Sequence, residues 1–184
     1  IESDPDCNDE FLHGFVILEK GKDGKWQKEK AVYEPILTMD KTRGTHKWKK
    51  LKAKINSYPD WPILHYGETE AISISKMSRS HQESKEELES IKIRLIDIHH
   101  RVRKHWLLPL NSYGLKAVAK WTGFSWNQKG ADGAKALLWW RKIHSPNSKS
   151  HNNALKSILE YNKDDCLATW AVAEWLLKNE SSIN

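Results

Sequence analysis

Along this chain strand patterns dominate the first third and helical spacing the rest, and that division limits the fold more than any other feature. Phe15-Val16-Ile17-Leu18 is an unbroken apolar run inside residues 12–19, the pattern of a buried strand. Gly21-Lys22-Asp23-Gly24 is a turn signal, and residues 26–33 alternate loosely as a second strand, so the two together predict a hairpin. Ile63-Leu64-His65-Tyr66 predicts one more short strand, ended by Gly67 and followed by a helix from about Glu68. Most of the rest carries helical spacing. Trp48, Leu51 and Ile55 recur within residues 42–56, a basic helix stopped by Pro59 and Pro62. Further helices are predicted over 91–106, broken by Pro109, over 113–121, closed by Gly123, and over 133–143. Residues 78–89 are polar and read as a loop or an exposed helix. A final helix over 153–178 carries Leu155, Ile158, Leu159, Leu167, Trp170 and Leu177 at core spacing. Strands early, helices later and one strand–helix unit between them predict an α/β or α+β domain, one sheet with helices packed on it.

At 184 residues, with no repeat, low-complexity tract or linker, the chain reads as one domain large enough for a hydrophobic core. Its 39% hydrophobic content and ten Trp exclude a disordered segment. No apolar run approaches the roughly 18 residues of a membrane helix, so no membrane partner is expected. Cys7 and Cys166 match neither a disulfide framework nor a zinc spacing, which points to a reducing, cytoplasmic setting. Nine His without Cys partners give zinc little support, and Trp121, Trp139, Trp140, Trp170 and Trp175 sit at core spacing. Phosphate-loop and serine-elbow motifs are absent. A formal net charge of +6 permits a nucleic-acid partner.

Three segments carry acids in places where chemistry is done. In Tyr161-Asn162-Lys163-Asp164-Asp165 the phenol of Tyr161 and the carboxylate of Asp165 are four residues apart, so a helix sets them on one face. Such a carboxylate can hold a hard divalent cation, and the phenol can orient a water. Roughly 0.3 Tyr-x-x-x-Asp pairs are expected by chance in this composition, so the pair alone favours a solvated helix face. Ile1-Glu2-Ser3-Asp4-Pro5 puts acids directly ahead of the hairpin, as a metal site on a strand end or as a polar terminus. Glu68 and Glu70 follow the Ile63 strand, as ligands or as acids that the helix dipole favours.

Taken in order, the three resemble the ribonuclease-H-like DEDD exonucleases, in the branch whose third motif carries Tyr. The closer resemblance is to the C-terminal ribonuclease-H-like domain of RecB-like nucleases. It rests on Leu64-His65-Tyr66-Gly67 with Glu70, on Ser112-Tyr113-Gly114-Leu115-Lys116, and on Tyr161-x-x-x-Asp165-Cys166-x-Ala168-Thr169. The resemblance implies an α/β ribonuclease-H-like mixed sheet flanked by helices, spanning residues 1–184 as a single domain. It further implies a metal-dependent 3′–5′ exonuclease on DNA or RNA, acting at single-stranded 3′ ends, with two Mg²⁺ or Mn²⁺ ions. A RecB-like nuclease domain would lie in the same longer chain. Glu2, Glu70 and Asp165 would be the metal ligands, and Tyr161 would position the attacking water. The family's first motif reads Asp-x-Glu, which places its Asp before Ile1, so the domain is expected to be truncated at its first strand. The second motif is usually Asp, where this chain has Glu70, with Glu68 as the alternative. These two departures keep a second expectation open, a catalytically weak or inactive nucleic-acid-binding or docking module of a larger nuclease.

Two basic clusters are candidates for the substrate strand. Lys47, Lys49, Lys50 and Lys52 surround Trp48, and Arg101 and Arg103 lie in His99-His100-Arg101-Val102-Arg103-Lys104-His105-Trp106. Cations on phosphates with aromatic faces under bases is how single strands are held. A helix whose Trp is core and whose Lys are solvated fits the first cluster equally well. For Asp97, just ahead of the second cluster, the resemblance implies a part in capping or supporting the fold.

Overall fold

A computed structural model of the chain describes residues 1–6, 9–39, 44–128, 130–145 and 151–180. Cys7, and the first two residues of the helix expected over 42–56, lie outside the described residues. The elements are β1 (Glu2–Asp4), β2 (Asp9–Ile17), a 3₁₀ turn (Lys28–Lys30), β3 (Val32–Leu37), α1 (Gly44–Asn56), β4 (Ile63–His65), α2 (Thr69–Ser80), α3 (Lys85–Lys92), β5 (Leu95–Asp97), α4 (Ile98–His105), α5 (Leu115–Trp121), α6 (Gly133–Ile143) and α7 (His151–Glu180). This is the α/β class expected. The described strands pair into a three-stranded antiparallel sheet, β1-β2-β3, and a two-stranded parallel one, β4-β5. The chain divides into two units, Ile1–Met39 with Trp126–Leu167, and Asp40–Ser125 with Ala168–Asn184. Among the described residues no helix is long and apolar enough to cross a membrane.

In the first unit strand β2 starts and ends earlier than the expected 12–19, so that Phe11, Leu12 and His13 are buried and Phe15-Val16-Ile17-Leu18 only partly, and its partner strand lies later than residues 26–33. Lys28-Glu29-Lys30 close a 3₁₀ turn, and Val32, Tyr33 and Ile36 carry the strand. Pro35 obscures that strand in sequence. It is tolerated because β3 ends the order β1-β2-β3, where a missing N–H costs no ladder bond on its outer side. The turn is built as the glycines indicate, with Gly24 at φ +74° and its N–H donating to the Gly21 carbonyl at 2.9 Å. Phe11 and Leu12 of β2 are fully buried against Trp140 and Ile143 of α6 and Ala154 and Ile158 of α7. The Phe11 ring lies flat on Trp140, with centroids 4.1 Å apart and planes 6° from parallel.

The second unit corrects one expectation. Residues 91–106 are not a single helix but the end of α3, then β5, then α4. Ile91, Ile98 and Val102 are buried, and their spacing satisfies a continuous helix as well as this broken one, so period alone could not separate them. Residues 78–89 hold the end of α2 and the start of α3, the latter capped by Ser84, whose hydroxyl accepts from the Glu87 N–H at 3.2 Å. Strand β4 runs parallel to β5 in the register Ile63–Leu95, Leu64–Ile96, His65–Asp97. Asp97 then caps α4, accepting from the His100 N–H at 3.2 Å and the Gly67 N–H at 3.0 Å. Gly67 stands at φ +91°, which ends β4 and aims its N–H. In α1, Trp48, Leu51 and Ile55 form the buried stripe read from the sequence.

Replacing Phe11 by Ala empties the centre of the first unit's core and should cost about 3–5 kcal/mol. Urea denaturation should show the midpoint falling accordingly. A loss below about 1 kcal/mol would contradict the packing described.

Candidate active site

Strand β1 alternates buried, exposed, buried, so Glu2 and Asp4 face inward while Ser3 faces out. The two buried carboxylates are answered differently. Asp4 accepts from the Arg141 guanidinium of α6 at 3.0 Å, and Asp6 accepts from the same group. Glu2 accepts from the side-chain amide of Asn162, Nδ2 to Oε1 at 3.1 Å. The other end of that amide, Oδ1, accepts from the Tyr33 hydroxyl of β3 at 2.9 Å. Asn162 reaches this place because β2 carries Gly14, at which a Cβ would lie 1.8 Å from Asn162 Oδ1. The Cys166 thiol, one turn further along α7, donates to the Gly14 carbonyl at 3.5 Å.

One turn of the same helix brings in the pair expected from sequence. Tyr161 is buried among Ala131, Ala136, Trp126 and Trp139. Burial pushes its phenol well above the usual range, reinforced by the Asp165 carboxylate to which it is hydrogen-bonded and by Glu2. Tyr33 is pushed the same way, by burial first and then by Cys166 and Glu2. Asp165 accepts from the Trp126 indole at 2.7 Å. Its neighbour Asp164, 2% exposed, accepts twice from Asn127, from N and from Nδ2, both at 2.8 Å. The segment at 126–127 is thereby tied to α7 through both acids.

Three of the four catalytic candidates are thus gathered in the first unit: Glu2, Tyr161 and Asp165 interact through the Tyr161 phenol. Asn162, Tyr33, Gly14, Trp126 and Asn127 were missed. Asn162 had a signal, because it follows the buried Ile158 by four residues and so had to lie on the core face of α7. The others come from distant segments and had none.

The fourth candidate, Glu70, is in the first turn of α2 in the second unit. There its Oε2 lies 4.0 Å from Nδ1 of the buried His65, which also contacts the Gly67 carbonyl at 2.7 Å. Asp97, close by in register, is pulled upward by burial but held below its ordinary value by the Gly67 and His100 amides. The basic candidates belong to this unit too. Lys49, Lys50, Arg101 and Arg103 are exposed and Lys47 is half-buried. Lys52 is held by Glu83 at 2.6 Å and Glu87 at 2.8 Å. Trp48 is 2% exposed and donates its indole N–H to Glu83 at 2.8 Å, so its ring is core and offers no face to a base.

Two carboxylates and a phenol are an all-oxygen donor set, the kind a hard divalent cation takes. Among the described residues no three His, Cys, Asp or Glu gather closely enough to hold a metal by themselves. A hard divalent cation can also be held through one or two carboxylates, with water and phosphate oxygens completing its shell.

The raised phenols make an alkaline prediction. An unfolded tyrosine ionises near pH 10, whereas Tyr33, Tyr66 and Tyr161 keep their protons higher in the folded chain. The stability this contributes is whole below about pH 10 and is lost as pH rises toward the folded values. Absorbance at 295 nm should show these three phenols ionising only with unfolding, and Tyr161→Phe should remove one of them from that late step. Ionisation of Tyr161 while the fold is intact would contradict its burial.

A family model described as the RNase H superfamily matches residues 1–177. Neither the curated proteins nor the solved structures contain a match.

Proposed function

Because the chain belongs to the RNase H superfamily, we propose that it is a metal-dependent 3′–5′ exonuclease of the Tyr-type DEDD group, hydrolysing phosphodiester bonds in DNA or RNA. The observation that supports this most is the gathering of Glu2, Tyr161 and Asp165 from β1 and α7 around one buried phenol. In this reading both units belong to one ribonuclease-H-like domain, since the family match runs across both. Glu2 and Asp165 hold the cation, and Glu70 is the acid of the second motif. A bound Mg²⁺ or Mn²⁺ would supply positive charge for the transition state and lower the pKa of an attacking water. Tyr161, its phenol kept protonated by burial and by Asp165, acts as a hydrogen-bond donor and orients that water.

The substrate strand is drawn by charge. The second unit holds 18 of the 30 Lys and Arg but only 11 of the 24 Asp and Glu, so the positive balance lies there. Lys47, Lys49, Lys50, Arg101 and Arg103 are the proposed phosphate contacts. Lys52 is left aside, because Glu83 and Glu87 already hold it and raise its pKa.

The test is a single strand labelled at its 5′ end, incubated with the protein and Mg²⁺ or Mn²⁺. Stepwise shortening from the 3′ end is expected. Asp165→Asn should reduce the rate by several orders of magnitude, and Tyr161→Phe by about 10²–10⁴, the range of a positioned proton donor. Binding with no cleavage of either DNA or RNA would overturn the exonuclease and leave the binding module.

A companion measurement is the salt dependence of binding. Each of Lys49→Glu, Lys50→Glu, Arg101→Glu and Arg103→Glu should lower the slope of log affinity against log salt by about 0.7. Unchanged slopes would show that these side chains only solvate their helices.

A further inference from the structure

The proposed reaction uses Glu2 and Asp165 and gives no part to Asn162, although that side chain is 1% exposed. A primary amide buried so fully in a helix is costly unless both of its ends are satisfied. Here they are, and in one direction. The Tyr33 hydroxyl donates to Oδ1 at 2.9 Å, and Nδ2 donates to Glu2 Oε1 at 3.1 Å. Turned over, the amide would set its oxygen against the oxygen of Glu2, so the carboxylate fixes which end faces it, and the Tyr33 hydroxyl, donating to Oδ1, holds the amide in that orientation.

The backbone around the amide is shaped for it. Gly14 leaves the space that a Cβ would take, 1.8 Å from Oδ1 and 3.0 Å from the Tyr33 ring. β1 supplies the carboxylate, β2 the space, β3 the phenol and α7 the amide, so four elements define one orientation. A neutral donor also suits a cation ligand, because it directs a carboxylate without bringing positive charge. Asp4 shows the contrast: it is two residues along the same buried face of β1 and meets the Arg141 guanidinium at 3.0 Å.

We propose that Asn162, locked by Tyr33, is a positioning residue that aims the Glu2 carboxylate at the cation of the exonuclease site. This rests on the function proposed above. Cutting the relay at either end removes or loosens the donor that directs Glu2 Oε1, which weakens the hold on the cation before it alters contact with the nucleic acid. Outer partners of metal ligands that are lost in this way typically cost 10- to 100-fold in affinity.

The experiment uses the full chain and Mn²⁺ alone, titrated by electron paramagnetic resonance, together with the carbon-13 signal of the Glu2 carboxyl in metal-free protein. Asn162→Leu keeps the volume and removes the donor, and should weaken Mn²⁺ binding about 10- to 100-fold. Tyr33→Phe keeps the ring and should act in the same direction by less. The double variant should be no worse than Asn162→Leu, since one relay cannot be cut twice. The Glu2 signal should move in both single variants. If Asn162→Leu fails to fold, Tyr33→Phe carries the test by the same two readouts. Mn²⁺ uptake by the natural protein with unchanged affinity and an unmoved Glu2 signal in Tyr33→Phe overturns the positioning role and leaves the exonuclease reading standing. A natural protein that takes up no Mn²⁺, with a Glu2 signal that still moves, overturns the metal reading and reduces Asn162 to a structural hydrogen bond.

Discussion

A carboxylate folded into an interior has to be hydrogen-bonded there, and in the first unit that requirement organises everything near it. Glu2 is buried on β1 and receives the Asn162 amide, and that single contact commits three further positions. Gly14 has to lack a side chain for the amide to fit, Tyr33 donates to the amide oxygen and anchors the end turned away from Glu2, and α7 has to lie at this height for Asn162 to reach. The apolar packing of Phe11, Trp140 and Ile158 supplies the bulk of the cohesion, but it would tolerate small shifts that the polar contacts do not. The same turn of α7 that delivers Asn162 delivers Tyr161 and Asp165, so the structural node and the chemical candidates are held by one helix.

The second unit is held on different terms. Its parallel pair β4-β5 is short, and it is closed by Asp97, whose carboxylate collects the amides of Gly67 and His100. Helix α1 is fixed by its apolar stripe and by a clamp in which Glu83 accepts from both the Trp48 indole and Lys52. Hydrogen bonding with Glu87 first, then with Lys52 and the Trp48 indole, holds the carboxyl of Glu83 down at about 2. The clamp takes Lys52 and Trp48 out of the basic surface that their sequence neighbourhood suggested. What the surface keeps is Lys47, Lys49, Lys50, Arg101 and Arg103, of which Arg101 also lies 3.8 Å from the Glu180 carboxylate.

Much of this was legible in the sequence, for identifiable reasons. The stripe Trp48, Leu51, Ile55, the glycine stops at Gly67 and Gly123, and the bounds of α6 follow from period and backbone freedom, which are local properties. Tyr161 and Asp165 could be paired from helix geometry alone. β3 was misplaced because Pro35 argues against a strand unless the strand is known to end its sheet, and that is a tertiary fact. β5 was hidden because Leu95 and Ile96 sit between apolar residues whose spacing also fits a helix. Tyr33, Trp126 and Asn127 could not be read at all, since Tyr33 serves the Asn162 amide and the other two serve carboxylates, each more than 35 residues away, and nothing local marks them.

We propose that Glu2 and Asp165, brought together around Tyr161, form a cation site within the first unit. Paramagnetic broadening tests it most directly, because Mn²⁺ erases the nuclear resonances of the residues around it. Substoichiometric Mn²⁺ should selectively broaden the signals of Glu2, Gly14, Tyr161, Asn162 and Asp165 in the natural protein, and leave them sharp in Asp165→Asn. Broadening centred on other residues, or identical broadening in Asp165→Asn, would contradict it.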